Sequence, residues 1–356
     1  MKPSTHILII AACTVFGVAT VIILYSLSEG IIHRNNSFIR RYPHHPVIRD
    51  KVFDLGYNSY YIAGVTSDSI YLGNYTAPLH LVAFDLNLKD STHIKISLDD
   101  RAKYTFRSVK INVRDPNFYI ADGTVPVIYG GTLGNWKGKV IMQDQAYFLQ
   151  LNPTGRDRFV FLARRATTNE NELGSMEFRK DSSYIKLQPQ LMEKQIDGVF
   201  DSEGFLLYNQ TLEKVIYPYR YRNEFIVAYK DLKLSYRGKT IDTIDKAQLD
   251  IAKITSKNQE KLGPRSITVT HQATTSGNYL FLSSDRLGRY EPKEMLSQAT
   301  IIDVYNLKQR TYEFSFYLYN HQGSEMREFI VQGNILFNLS GTSIIKNTFK
   351  QEYLKF

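Results

Sequence analysis

The chain has 356 residues, 43% of them hydrophobic, a formal net charge of +9 and one cysteine, Cys13. A single thiol excludes both a disulfide framework and a cysteine-based zinc site. The 25 Tyr and 20 Phe against one Trp suit half-buried pleated surfaces better than helices. Lys and Arg never run longer than two in a row, which reads as a solvated surface and not a nucleic-acid stripe.

The first predicted element is Ile7 to Leu27, "ILIIAACTVFGVATVIILYSL", 21 residues without a charged side chain. At about 1.5 Å rise per residue it spans the roughly 30 Å hydrocarbon core of a bilayer, and it is apolar on every side, unlike a surface helix. Two competing readings fit less well. A cleaved signal peptide needs a small-residue site, and "ATV" and "SLS" are poor ones. A lipoprotein would be modified at Cys13, but the apolar run continues well beyond it. An uncleaved signal anchor is therefore expected, occupying residues 1–29 and meeting the lipid bilayer through 7–27. Lys2 precedes the segment while Arg34, Arg40 and Arg41 follow it, a count that by itself favours a cytoplasmic domain. A short N-terminal tail with one long translocated domain is the commoner arrangement, so the bulk of the chain is expected on the periplasmic or extracellular side. Residues 30–49 read as a polar tether.

From residue 50 onward, short apolar, β-branched and aromatic runs alternate with Gly, Asn, Asp, Ser and Pro. "YLGNYTAPL" (Tyr71 to Leu79) returns forty-eight residues later as "YIADGTVPV" (Tyr119 to Val127). "KDSTHIKI" (Lys89 to Ile96) returns as "KDSSYIKL" (Lys180 to Leu187), and a strand-then-turn phrase ending in Leu-Lys occurs at Val82–Lys89, Val227–Lys233 and Ile301–Lys308. Periods in the forties with four short strands each mark propeller blades. The predicted fold is all-β, a six-bladed β-propeller over residues 50–356 preceded by one transmembrane helix, with seven blades and a β-sandwich as the alternatives. The blades fall at Tyr60–Leu98, Val109–Ile141, Tyr147–Leu187, Val199–Ile241, Ile267–Tyr319 and from Phe329 on. An insertion at about 242–266 is either a helix or a hairpin. The last blade has only three strands, and "DKVFDLG" (Asp50 to Gly56) is predicted to supply the fourth by pairing near Ile344–Phe349, which removes an open edge. Deleting residues 1–57 is then expected to destabilise the ring, and deleting 1–45 is not.

The phrases just quoted resemble the six-bladed, TolB-like propeller superfamily. More closely, "NSYYIAGVTSDSIYLGNYTAPL", "IADGTVPVIY" and "KQIDGVFDSEGFLLYN" are similar to a family of membrane-anchored bacterial propellers found with DoxX/MauE-like redox membrane proteins. The resemblance implies an envelope location and a DoxX/MauE-like membrane protein as a partner. It carries no catalytic residue.

No Gly-x-Ser-x-Gly elbow, phosphate loop or calcium loop occurs, and His44-His45 lacks ligand spacing. No catalytic residue, metal or cofactor is therefore assigned. Two stretches offer contact chemistry. "YPYRYRNEF" (Tyr217 to Phe225), read as a strand, places Tyr219 on one face and Arg220 and Arg222 on the other. "SDRLGRYEPKEM" (Ser284 to Met295) is a polar excursion whose Arg286, Arg289 and Tyr290 are expected to share a rim with Tyr75, and to be replaceable without loss of fold. The leading function is a protein- or peptide-binding scaffold in the cell envelope, without nucleic acid; the alternative is a propeller lyase or hydrolase working at the channel mouth.

Overall fold

The computed structural model describes residues 3–31, 35–99, 105–254 and 259–355. A helix, Pro3–Ile31, contains the segment Thr5–Leu27, which is long and apolar enough to cross a membrane and has none of its surface buried against the rest of the chain. Behind it, six antiparallel sheets follow one another in chain order. Blade one is Tyr60–Val65, Ser69–Asn74, His80–Asp85 and Ser91–Lys95. Blade two is Lys110–Arg114, Asn117–Asp122, Val127–Thr132 and Lys137–Gln143, with Ser97–Leu98 added in parallel at its outer edge. Blade three is Gln150–Gly155, Arg158–Arg164, Asn171–Arg179 and Ser182–Leu187. Blade four is Leu207–Asn209, Lys214–Pro218, Glu224–Tyr229 and Leu234–Lys239. Blade five is Gln272–Ser276, Tyr279–Ser284, Ala299–Asn306 and Thr311–Tyr319.

Blade six takes Met326–Gln332, Ile335–Ser340 and Ser343–Phe349 from the end of the chain and Val47–Asp54 from its beginning. The two ends pair antiparallel from Val47↔Phe349 to Asp54↔Ser343, with a bulge between Arg49 and Lys51. The expected closure is thus present, begun a few residues earlier than predicted. The insertion is a hairpin, Ile251–Ile254 with Gln259–Leu262.

All three sequence repeats correspond to repeated local structure, the "KDSTHIKI" and "KDSSYIKL" phrases forming the outer strands of blades one and three. Asn74 and Asp122 open the turns between second and third strands of adjacent blades. Asn74 Oδ1 accepts from Thr76 N and Thr76 Oγ1 at 2.9 and 2.7 Å; Asp122 Oδ1 accepts from Thr124 N and Val125 N at 2.9 and 3.0 Å. A short acceptor side chain at that position folds the turn back on itself. The Leu of the Leu-Lys phrase is Leu88, Leu232 and Leu307, buried in each case as a plug between blades. The core is a ring of such inter-blade layers: Ile302, Val304 and Phe316 of blade five meet Leu336 and Phe349 of blade six, and Tyr119 and Ile128 of blade two meet Phe159 and Phe161 of blade three.

Residues 35–46 do more than link. Asn35 Nδ2 donates to Gly288 O and Glu291 O, and Asn36 Nδ2 to Leu287 O. Ser315 N, on the outer strand of blade five, donates to Arg41 O at 2.8 Å, and the Tyr42 ring stacks on Tyr317 at 4.6 Å. Arg40 enters the interior. Its Nε and Nη2 meet the two oxygens of Asp303 at 2.6 and 3.0 Å, and its Nη1 meets Glu291 Oε2 at 2.9 Å. Burial pulls the Arg40 guanidinium towards losing its proton, but Asp303 and Glu291 outweigh that and hold it charged, above its ordinary value.

The expectation that residues up to 45 can be removed is therefore revised, because their loss strands two buried carboxylates. Arg40→Ala in the full chain should lower stability by about 3–5 kcal/mol, the usual effect of breaking one side of a buried ion pair. Denaturant unfolding in detergent reads this as a lower midpoint; an unchanged midpoint would show that Asp303 and Glu291 find other partners.

Candidate functional site

The first strand of each blade lines a central cavity of about 640 Å³. Each of these strands has one edge paired with its blade and the other turned towards the channel, where backbone groups need partners. Side chains of the preceding blade supply them around the whole ring. Tyr61 Oη of blade one accepts from Ile111 N of blade two at 2.8 Å. Tyr119 Oη of blade two donates to Gly155 O and Arg156 O at 3.0 and 2.8 Å. Gln150 of blade three accepts from Leu206 N and donates to Gly204 O, both at 2.7 Å, and Asn152 Nδ2 donates to Leu206 O at 2.6 Å. Asn209 of blade four donates to Thr275 Oγ1 and Gly277 O at 2.7 and 2.9 Å. Gln272 of blade five donates to Arg327 O at 3.2 Å. Glu328 of blade six accepts from Ile62 N of blade one at 3.0 Å, closing the circuit.

Gly64 shows how tightly these strands approach. Its φ is +155°, and a Cβ there would lie 2.2 Å from Val113 O. Among the ionisable lining residues, Glu328 sits towards the entrance formed by the strand starts and Arg114 towards the opposite end. Burial pushes the Glu328 carboxyl above its ordinary value, with Ile62 N–H, Lys110 and Arg327 pulling the other way.

The turns between second and third strands, together with the blade-to-blade connectors, gather on one rim, as antiparallel up-and-down blades require. Tyr75 lies there, 53% exposed, packed on Tyr61 at 4.7 Å with Lys110 Nζ 5.5 Å from its ring. Tyr290 is 55% exposed, with the Arg289 guanidinium 6.0 Å from its ring. Arg220 lies 4.7 Å over Phe205 and pairs with Glu203 at 3.0 Å. Tyr75, Arg289, Tyr290 and Arg220 thus share the rim, on blades one, five and four.

The other three expected residues sit differently. The strand of "YPYRYR" ends at Pro218, Tyr219 makes one further bridge, to Gly204, and Arg220 to Asn223 form the turn after it. Tyr219 and Arg222 are both 0% exposed, with Arg222 stacked 3.5 Å over Tyr219 and its Nη1 donating to Glu193 O at 3.0 Å. They belong to the interior, where no partner reaches them. Tyr219, bridged to Gly204, keeps to the buried tyrosine face with Tyr217, and Arg222 departs from the alternation because it lies in the turn. Arg286 is mostly buried and pairs with Asp242 at 2.5 Å, with its Nη2 on Asn36 Oδ1 at 2.9 Å. It holds the rim to the blade-four connector and to the N-terminal segment, so it cannot be removed freely. Reading the residues alone missed Arg114, whose only local signal is a basic residue ending an apolar strand.

No protein-family model matches the chain, and no curated protein matches it. Among solved structures, a member of the DUF4221 family from Bacteroides vulgatus is similar at 10% identity with a TM-score of 0.51, over 89% of this chain and 99% of that one. A Bacteroides thetaiotaomicron protein of unknown function is similar at 9% identity with a TM-score of 0.50, over 85% of this chain and 73% of that one. At these identities the likeness establishes the propeller fold and nothing finer.

Two outcomes follow from the site geometry. Arg286→Ala should cost about 3 kcal/mol by leaving Asp242 buried and unpaired, whereas Arg289→Ala and Tyr290→Ala should each stay within about 0.5 kcal/mol; urea midpoints of the three variants check the order. For Glu328, a folded pKa above the unfolded one means stability that is complete below the ordinary glutamate value of 4.5 and lost as pH rises through the folded value. Glu328→Gln keeps an acceptor for Ile62 N and removes that loss. Its stability relative to the parent should rise from acid towards neutral pH, and parallel curves would contradict the assignment.

Proposed function

We propose that the chain is a membrane-tethered propeller acting on the periplasmic or extracellular side as a non-enzymatic scaffold, which binds a protein or peptide on the rim of second-to-third-strand turns. The observation that carries this reading is the rim's chemistry. Tyr75 with Lys110, Phe205 with Arg220, and Tyr290 with Arg289 place aromatic–cation pairs on three blades of one face. Tyr and Arg combine large contact area with directional polar groups, and they dominate the energetics of protein interfaces.

The tether supports a partner that is itself at the membrane. The helix ends at Ile31 and the chain is already hydrogen-bonded to the blade-five loop at Asn35. Four residues extend no further than about 14 Å, so the Arg289–Tyr290 side of the ring stays near the headgroup layer whenever the helix is inserted. The sequence resemblance makes a DoxX/MauE-like membrane protein, within a TolB-like superfamily setting, the first partner to test.

Site-specific photo-crosslinking from native membranes tests the reading. A crosslinker replacing Tyr75 or Tyr290 should capture a discrete protein, and one replacing Tyr184, 57% exposed on the outer strand of blade three, should not. Arg289→Ala combined with Tyr290→Ala should weaken capture by at least about 2 kcal/mol, roughly thirtyfold. Capture only from Tyr184 would move the binding surface to the outer wall.

A further inference from the structure

The opposite face of the ring carries a second cavity, of about 340 Å³, enclosed by the first-to-second-strand turns of blades two, three and four. Arg114, the last residue of blade two's inner strand, lines both this cavity and the central channel. Its Nη1 is buried and has no hydrogen-bond partner. The nearest aromatic support is Tyr208, whose ring centroid lies 5.1 Å from the guanidinium carbon. Among the described residues no carboxylate pairs with it. Burial without a counterion brings it down to about 10, the reverse of what happens at Arg40.

A guanidinium kept in a concave site with no acid bonded to it is an incomplete pair, since buried charges are ordinarily matched. The remaining charges around the cavity indicate what completes it. Arg156 and Lys230 join Arg114 on the wall, against Asp115 and Glu213. Lys230 and Glu213 satisfy one another at 2.5 Å. Among the lining residues that leaves two cations, Arg114 and Arg156, facing one acid, Asp115, with Asp157 outside the lining but close enough to act on Tyr119. We propose that this cavity is an anion-binding site that takes a singly charged carboxylate group, with the Arg114 fork as its principal contact and Arg156 as the second cation. A planar carboxylate matches the fork in two parallel hydrogen bonds. A doubly charged phosphate would meet Asp115 and Glu213 with charge to spare. The site lies on the face away from the aromatic–cation rim and stands whether or not a protein binds there.

The test is thermal unfolding of the full chain in detergent, with acetate replacing chloride at constant ionic strength. The melting temperature should rise progressively with acetate, because a ligand that binds only the folded state stabilises it by mass action. Inorganic phosphate at neutral pH should have a smaller effect. Arg114→Met should abolish the acetate response, and without ligand it should melt no lower than the parent, since it removes an unmatched charge. Arg114→Lys keeps the charge, loses the fork and should weaken the acetate midpoint by about tenfold. A parent protein that does not respond to acetate, or an equal response from the parent and either variant, would overturn the site. An Arg114→Met chain that melts lower or does not fold would also overturn it, by showing that Arg114 serves the structure.

Discussion

The antiparallel pairing of Val47–Asp54 with Ser343–Phe349 is the contact on which the rest of the ring depends. A blade buries its faces only against two neighbours, and without this strand blade six would keep an open sheet edge. Taking that strand from the other end of the chain makes closure a long-range event, separated by nearly the whole length of the domain. It also determines where the N-terminal segment runs. Once Val47 is committed to the outside of blade six, the residues before it have to cross the outer edge of blade five. There they cover an edge that would otherwise be open, with Ser315 N donating to Arg41 O.

The inner edges present the same problem in another form. Six strands turn an unpaired edge towards a channel too narrow for further sheet, and each is served by a polar side chain from the blade before it. Gln150, Asn152 and Asn209 are polar for this reason. The polarity of the channel is thus in large part structural. Arg114 stands apart because its guanidinium serves no edge.

Arg40 and Arg114 are two arginines drawn inward under opposite circumstances, Arg40 buried whole and Arg114 with its Nη1 buried. Arg40 meets Asp303 and Glu291 within 3.0 Å and locks the long blade-five loop to the segment that follows the helix. Arg114 has an aromatic ring and open space.

Much of the architecture was legible because it is written locally. The apolar helix needs only length and the absence of charge. The turn at Asn74 and its counterpart at Asp122 depend on a side-chain oxygen reaching amides two and three residues away, so the same letters recur wherever the turn recurs. Leu88, Leu232 and Leu307 recur because each turn buries one residue between blades. The missing fourth strand could be found by counting. What the sequence alone did not decide is the state of individual charges. Arg40 read as part of a polar tether, and Arg286 and Arg222 as surface contact residues; each is drawn inward because its surroundings come from far along the chain: Asp303 for Arg40, Asp242 and Asn36 for Arg286, Glu193 for Arg222. Tyr219 is buried because the tyrosine face it shares with Tyr217 packs into the interior. Burial and pairing of a long side chain depend on which distant segments close around it, and that is settled only when the ring has formed.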